Sequence, residues 1–113
     1  MHIDSYDFGR MVIDGKVYGK DLIILPDRLI ENWWRTQGHC LLKDDLGEVV
    51  KLPLSLLVVG TGMYGRMEVP EETVRYLKDK GIGSLVRKTG EARMIFNEQK
   101  DKGSVAAAFH LTC

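Results

Sequence analysis

Leu56-Leu57-Val58-Val59-Gly60-Thr61-Gly62 is an unbroken apolar run that stops at a glycine-flanked threonine. Strands buried on both faces of a sheet read this way, and in α/β folds ligands gather beyond the carboxyl ends of such strands. The run therefore marks a central strand and the place where a site would lie. Val105-Ala106-Ala107-Ala108-Phe109-His110-Leu111 is a second run of the same kind and also reads as a central strand, not an edge one.

Between the two runs the pattern turns helical. Pro70 near the first turn, Glu71-Glu72 behind it, Lys78 and Lys80 near the end and Gly81 in the C′ place predict a helix with Val74 and Leu77 facing inward. Residues 84–88 predict a strand. Thr89 then suits the N-cap of a helix whose Ala92, Ile95, Phe96 and Gln99 fall at i, i+3, i+4 and i+7, with Gly103 ending it. Strand, helix, strand, helix, strand implies a sheet flanked by helices. Ahead of the first run, Leu42, Leu46, Val49 and Val50 predict a short helix ended by Pro53. Residues 3–8, 11–13, 16–18 and 22–25 read as an antiparallel meander, with Asp14-Gly15 as a hairpin turn, and Leu29, Ile30, Trp33 and Trp34 as extended chain.

A chain of 113 residues that is 44% hydrophobic suits one domain, residues 1–113, with one core. Sixteen basic residues balance sixteen acidic ones, so no whole-protein field gathers nucleic acid or anionic lipid, and neither is expected as a partner. Two cysteines, Cys40 and Cys113, are too few for a disulfide scaffold. With no basic-apolar leader at residues 1–5 and no apolar stretch of membrane-spanning length, the expected location is cytoplasmic.

The candidate chemistry is sparse. Gly60-Thr61-Gly62 offers backbone that an anion or carbonyl group can approach closely, Thr61 adds a hydroxyl, and Arg66 is the cation near enough in sequence to complete such a site. A dinucleotide fingerprint needs three spaced glycines running into a helix and a phosphate loop needs Gly-Lys-Ser/Thr; residues 63–69 intervene and Gly65 precedes Arg66, so both readings fail. The same glycines also read simply as a turn. His110 and Cys113 stand three apart, which on a regular strand places them on opposite faces and argues against a thiol-imidazole pair. His39-Cys40 lacks the short ligand spacing of a zinc site, so no metal and no cofactor is expected. Trp33-Trp34 reads as one ring in the core and one at a rim, the exposed ring marking an interface; with Arg35 it also resembles a base-stacking platform. Met63, Tyr64 and Met67 form a soft apolar loop over the strand ends, a lid or partner surface. Asn97, beside Phe96, suits bracing a loop.

Several segments together resemble a known small family: residues 57–63, residues 73–78 with Gly81-Ile82, Thr89 with Ala92 and Asn97, and the ending Phe109-His110-Leu111-Thr112-Cys113. They look like the adipogenesis-associated Mth-type domain, a domain of unknown function that also resembles a mitochondrial assembly factor for respiratory complex I. The resemblance spans almost the whole chain. It implies a three-layer α/β domain with a central mixed sheet of about five strands, helices on its faces and a small N-terminal antiparallel β-element. It brings no established reaction. Phe96 stands where relatives often carry tyrosine, and Thr61 where some carry arginine.

With no catalytic constellation to name, two functions remain open. One is a non-catalytic protein-interaction or assembly module working through Trp33, Trp34, Tyr64 and Met67. The other is a small-ligand or anion binding protein, enzyme or not, at Gly60, Thr61, Gly62, Met63, Arg66 and His110. The second requires the last strand to run parallel to residues 56–60, which alone brings His110 to the glycines, and it requires room there.

Overall fold

A computed structural model describes residues 1–113. Along the chain come β1 (Ile3–Asp7), β2 (Arg10–Ile13), β3 (Lys16–Tyr18), β4 (Leu22–Ile24) and β5 (Leu29–Ile30). A 3-10 turn at Lys43–Leu46 runs into the short α1 (Gly47–Val50), followed by β6 (Leu56–Thr61), α2 (Glu71–Asp79), β7 (Gly83–Arg87), α3 (Thr89–Gln99) and β8 (Val105–His110). No helix is long and apolar enough to cross a membrane.

Both apolar runs are interior strands of one mixed sheet ordered β5-β4-β8-β6-β7. β6 pairs in parallel with β8, from Leu56 opposite Val105 to Thr61 opposite His110, and in parallel with β7 on its other side. β4 joins β8 antiparallel, and β5 closes that edge antiparallel to β4. Side chains alternate across the sheet as a strand's period of two requires. Ile23, Leu57, Val59, Ala106 and Ala108 face a layer of Leu41, Leu46, Val49, Leu77 and Ile82, whereas Leu22, Ile24, Val58, Ala107 and Phe109 face Ala92 and Phe96 with Ile3, Met11 and Ile13. The helices fall on opposite faces because β6-α2-β7 and β7-α3-β8 cross the sheet in opposite directions, and crossovers of one hand then lie on opposite sides. The result is three layers.

The end of α2 shows why its sequence signals work. Gly81 takes φ +79°, its N–H donates to Lys78 O at 2.9 Å, the Ile82 N–H donates to Leu77 O at 2.9 Å, and Leu77 and Ile82 share one core. These are the bonds and the apolar contact of a Schellman stop.

β1, β2 and β3 form a separate antiparallel sheet whose β2–β3 turn has Asp14 at φ +50° and Gly15 at φ +80°. Asn97 pins this sheet to α3. Its Nδ2 donates to Ile3 O at 2.8 Å and its Oδ1 accepts from Ile3 N–H at 3.0 Å, so one side-chain amide completes a backbone pair. Asn97→Ala orphans both backbone groups and is expected to lower stability by about 1–3 kcal/mol, read from urea unfolding, with faster amide exchange at Ile3.

Three sequence expectations need correction. Residues 22–25 do not continue the meander: they enter the main sheet as β4, and residues 29–30 form an edge strand there. The strand of residues 84–88 runs from Gly83 to Arg87 instead. Lys88, not Thr89, occupies the N-cap of α3; Thr89 is the first helical residue and turns its hydroxyl toward the strand ends.

Candidate functional site

The carboxyl ends of β6 and β8 lie side by side, since β8 is parallel to β6 and His110 pairs with Thr61. His110 is thus brought to the glycines. The two glycines serve different needs there. Gly60 is inside β6, and a β-carbon on it would come within 2.6 Å of Phe109 Cδ1 and 2.8 Å of Thr89 Oγ1, so its bareness admits the β8 ring and the first turn of α3. Gly62 has φ +102°, and a β-carbon would run into the Cys113 backbone, 2.7 Å from its carbonyl oxygen and 2.8 Å from His110 Cδ2. The turn explanation holds for Gly62 and not for Gly60.

Polar groups at the strand ends are already paired within the chain. The Gly62 N–H donates to Thr89 Oγ1 at 2.8 Å, and the Thr89 hydroxyl donates to His110 O at 2.6 Å. The Met63 N–H donates to Thr112 O at 2.7 Å, the Arg66 N–H to Cys113 O at 2.9 Å and the Thr61 hydroxyl to Arg87 O at 3.1 Å. None of the five surface cavities is lined by Gly60, Thr61, Gly62, Met63, Arg66 or His110, and the Arg66 side chain is exposed.

Beside this turn lies a buried charge cluster that the sequence did not single out. The β4–β8 register sets Leu22 opposite Phe109, so Asp21, one residue earlier, faces His110. Asp21 Oδ2 lies 2.8 Å from His110 Nδ1 and 2.8 Å from Arg35 Nη2, while Oδ1 accepts from the Leu111 N–H at 2.8 Å. Arg35 Nη2 is also 3.1 Å from His110 Nδ1 and donates to Gly38 O at 2.7 Å. A guanidinium only donates and a carboxylate only accepts, so we assign the Nδ1–H of His110 to Asp21. Burial alone would raise the Asp21 pKa; the hydrogen bonds from His110, Leu111 and Arg35 outweigh it and hold the carboxyl below its usual 3.8. Arg35 Cζ stands 4.7 Å from the Trp33 ring centroid, so the π face shares its charge. An imidazole oriented by a carboxylate has the connectivity of a general base, but His110 Nε2 is buried and reaches no protein partner. The arrangement ties β4, β8 and residues 33–38 together.

Tyr6 closes the cluster from the small sheet, its hydroxyl donating to Leu111 O at 2.8 Å. Burial, then the nearby Asp21 charge, pushes its phenol from 10.0 to about 12. Ultraviolet pH titration is expected to show a tyrosine that ionises only near pH 12, and Tyr6→Phe is expected to remove that step. Because its folded pKa is raised, Tyr6 contributes stability that is complete below pH 10 and disappears as pH rises through about 12.

Around Leu111 and Thr112 an aromatic surface gathers. Trp33 is 9% exposed and its indole N–H donates to Asp45 O at 3.2 Å, whereas Trp34 is 77% exposed: one ring in the core and one at the rim. Trp34, Trp33, Lys20, Asp21 and Thr112 line a cavity of about 470 Å³. Tyr64, 63% exposed, stands 6.1 Å from the half-exposed Phe8. Leu111 O accepts from Gly9, next to Phe8, and Thr112 O accepts from Met63, next to Tyr64. Met67 departs from the expected surface. It is 2% exposed and lies in the core with Leu41 and Trp33, because its N–H donates back to Thr61 O at 3.1 Å and draws the loop's end alongside β6. Met63 is half-buried.

Asp21 and Phe8 are the residues that sequence reasoning missed. Asp21 had a signal: a carboxylate directly before Leu22-Ile23-Ile24-Leu25, as His110 sits near the end of another apolar run. Phe8 had none beyond its place next to Gly9.

Comparison with known proteins places the chain in a wider set. A family model described as a protein of unknown function (DUF498/DUF598) matches residues 3–110. The chain is similar to a conserved hypothetical protein of Pyrococcus horikoshii OT3, with 27% identity, a TM-score of 0.85 and 100% of each chain covered. A Bartonella henselae structure described as an outer membrane protein shares 24% identity over 98% of this chain and 94% of that one, with a TM-score of 0.82. A Mth938-like domain protein of Bordetella pertussis shares 18% over 97% and 85%, with a TM-score of 0.74. The last two likenesses show the fold alone.

Proposed function

We propose a binding role for this chain, which belongs to the DUF498/DUF598 family of proteins of unknown function: it is a non-catalytic protein-interaction module of assembly or regulatory type. One observation carries this reading, the convergence of the exposed Trp34, Tyr64 and Phe8 on Leu111 and Thr112. Large aromatics gathered on one exposed surface are what interfaces use as anchors. The buried Asp21-Arg35-His110 cluster supports the reading from beneath, because it fixes residues 33–38 and so presents Trp34 on a firm base. Cytoplasmic residence accords with two free thiols, Cys40 and Cys113.

Site-specific photo-crosslinking tests this role. A benzophenone residue at position 34 or 64 is expected to yield a discrete protein adduct in the cell, and one at the exposed Lys78 on α2 none. Identical products from all three positions would end the proposal.

The second reading, a small ligand or anion at Gly60, Thr61 and Gly62 with His110, Met63 and Arg66, is favoured by the parallel β8 that brings His110 to Thr61. It ranks below because Phe109, Thr89 and Cys113 fill the space that a ligand would need.

A further inference from the structure

Of the sixteen cations only Arg28, Arg35, Lys51, Arg75 and Arg87 form ion pairs, which leaves eleven free. Lys20, Arg66 and Lys88 are exposed, and none has a carboxylate within ion-pair distance. All three border the aromatic surface: Lys20 lines the cavity beside Trp34, Arg66 follows Tyr64-Gly65, and the Lys88 stem lies 3.3 Å from the place of a β-carbon on Gly65. The exposed ion pairs of the chain are Arg28 with Asp27 and Glu48, Lys51 with Glu48, Arg75 with Glu71 on α2, and Arg87 at the end of β7 with Glu91 on α3. Asp21 is the carboxylate in the cavity wall, and it is already committed to Arg35, His110 and the Leu111 N–H. Asp7, Glu31 and Glu68 lie in adjoining stretches, and Asp7 is set opposite Arg10 in the β1–β2 register.

Resting on the interaction role proposed above, we infer that this surface docks an acidic segment of a partner protein, a stretch of carboxylates around one bulky apolar side chain. The apolar group enters the cavity against Trp34, and the carboxylates meet Lys20, Arg66 and Lys88. Unpaired cations around an aromatic floor steer and select such a segment, whereas the floor supplies the burial. A nucleic acid fits less well. Arg35, the cation adjoining the tryptophans, is buried in its pair with Asp21 and cannot stack on a base.

Selection from an unbiased random-peptide display library on the intact chain tests the inference. Enriched peptides are expected to be net acidic with a recurrent aromatic or long aliphatic residue. Trp34→Ala is expected to weaken them by about tenfold or more, and paired Arg66→Glu and Lys88→Glu by about tenfold, with the remainder lost at high salt. All three sites are exposed, so unchanged melting temperatures confirm that folding is not the cause. Neutral or basic peptides that depend on Trp34 and ignore the charge reversals would overturn the acidic partner and leave the interaction role standing. Enrichment of nothing, or of peptides indifferent to Trp34, would overturn both. Displacement of the acidic peptides by a mixed-sequence oligonucleotide at matched charge would transfer the surface to nucleic acid and overturn the inference.

Discussion

Asp21→Ala is expected to lower the stability of this domain by about 3–5 kcal/mol, the cost of stripping one partner from a buried ion pair. The loss is larger than the aspartate's own contacts suggest, because its removal takes an acceptor from three groups and leaves two of them with none. Arg35 Nη2 keeps only Gly38 O, the Nδ1–H of His110 loses its acceptor, and so does the Leu111 N–H. Since Arg35 Nε and Nη1 already have no protein acceptor, the guanidinium has only Gly38 O and the Trp33 ring to fall back on. Thermal unfolding by circular dichroism should record a drop of more than about 10 °C. A change below about 1 kcal/mol would contradict the cluster as described. Adding Arg35→Met to Asp21→Ala should return part of the loss, because it removes the charge that the first substitution stranded.

Acid brings the same cluster down by titration. The folded Asp21 pKa lies below its ordinary 3.8, so between the two values the unfolded chain binds more protons than the native one. Its contribution is therefore complete above about pH 4 to 5 and is lost as pH falls through the folded pKa. In Asp21→Asn this part of the acid dependence should vanish, leaving a flatter stability curve below pH 4 than the parent shows.

Much of the fold was legible because two features were strong. Residues 56–60 and 105–109 are without a polar side chain at any pleat, which only strands covered on both faces tolerate, and Pro70 and Gly81 bracket α2 with residues suited to its ends. β4 was misplaced by adjacency, the habit of reading consecutive short strands as one meander. Its own pattern argued otherwise: Leu22-Ile23-Ile24 is buried at each position, while β2 alternates. The site was harder to read, because proximity there depends on register. Asp21, Arg35 and His110 meet only once β4 lies antiparallel to β8 and residues 33–38 fold over them, and no local spacing encodes either event. Met67 illustrates the converse. It was grouped with Tyr64 by hydropathy, but a backbone bond to Thr61 turns it inward, and a one-dimensional pattern cannot show that.

Gly62→Ala is the second large effect, expected at about 3 kcal/mol or more, and it separates the two functional readings. Two costs add. At φ +102° an L side chain is strained by roughly 1–2 kcal/mol, and forcing a methyl group against the Cys113 backbone adds about 1–3 kcal/mol of overpacking. Gly81→Ala isolates the first cost, since its φ of +79° is comparable but nothing lies within 4 Å of the new carbon. The expected order in urea unfolding is therefore Gly62→Ala well above Gly81→Ala, by about 1–3 kcal/mol. If the two cost the same, residues 110–113 do not press on Gly62. The strand end would then have the room that a small ligand needs, and the glycine site would rise above the aromatic surface as the place where this domain acts.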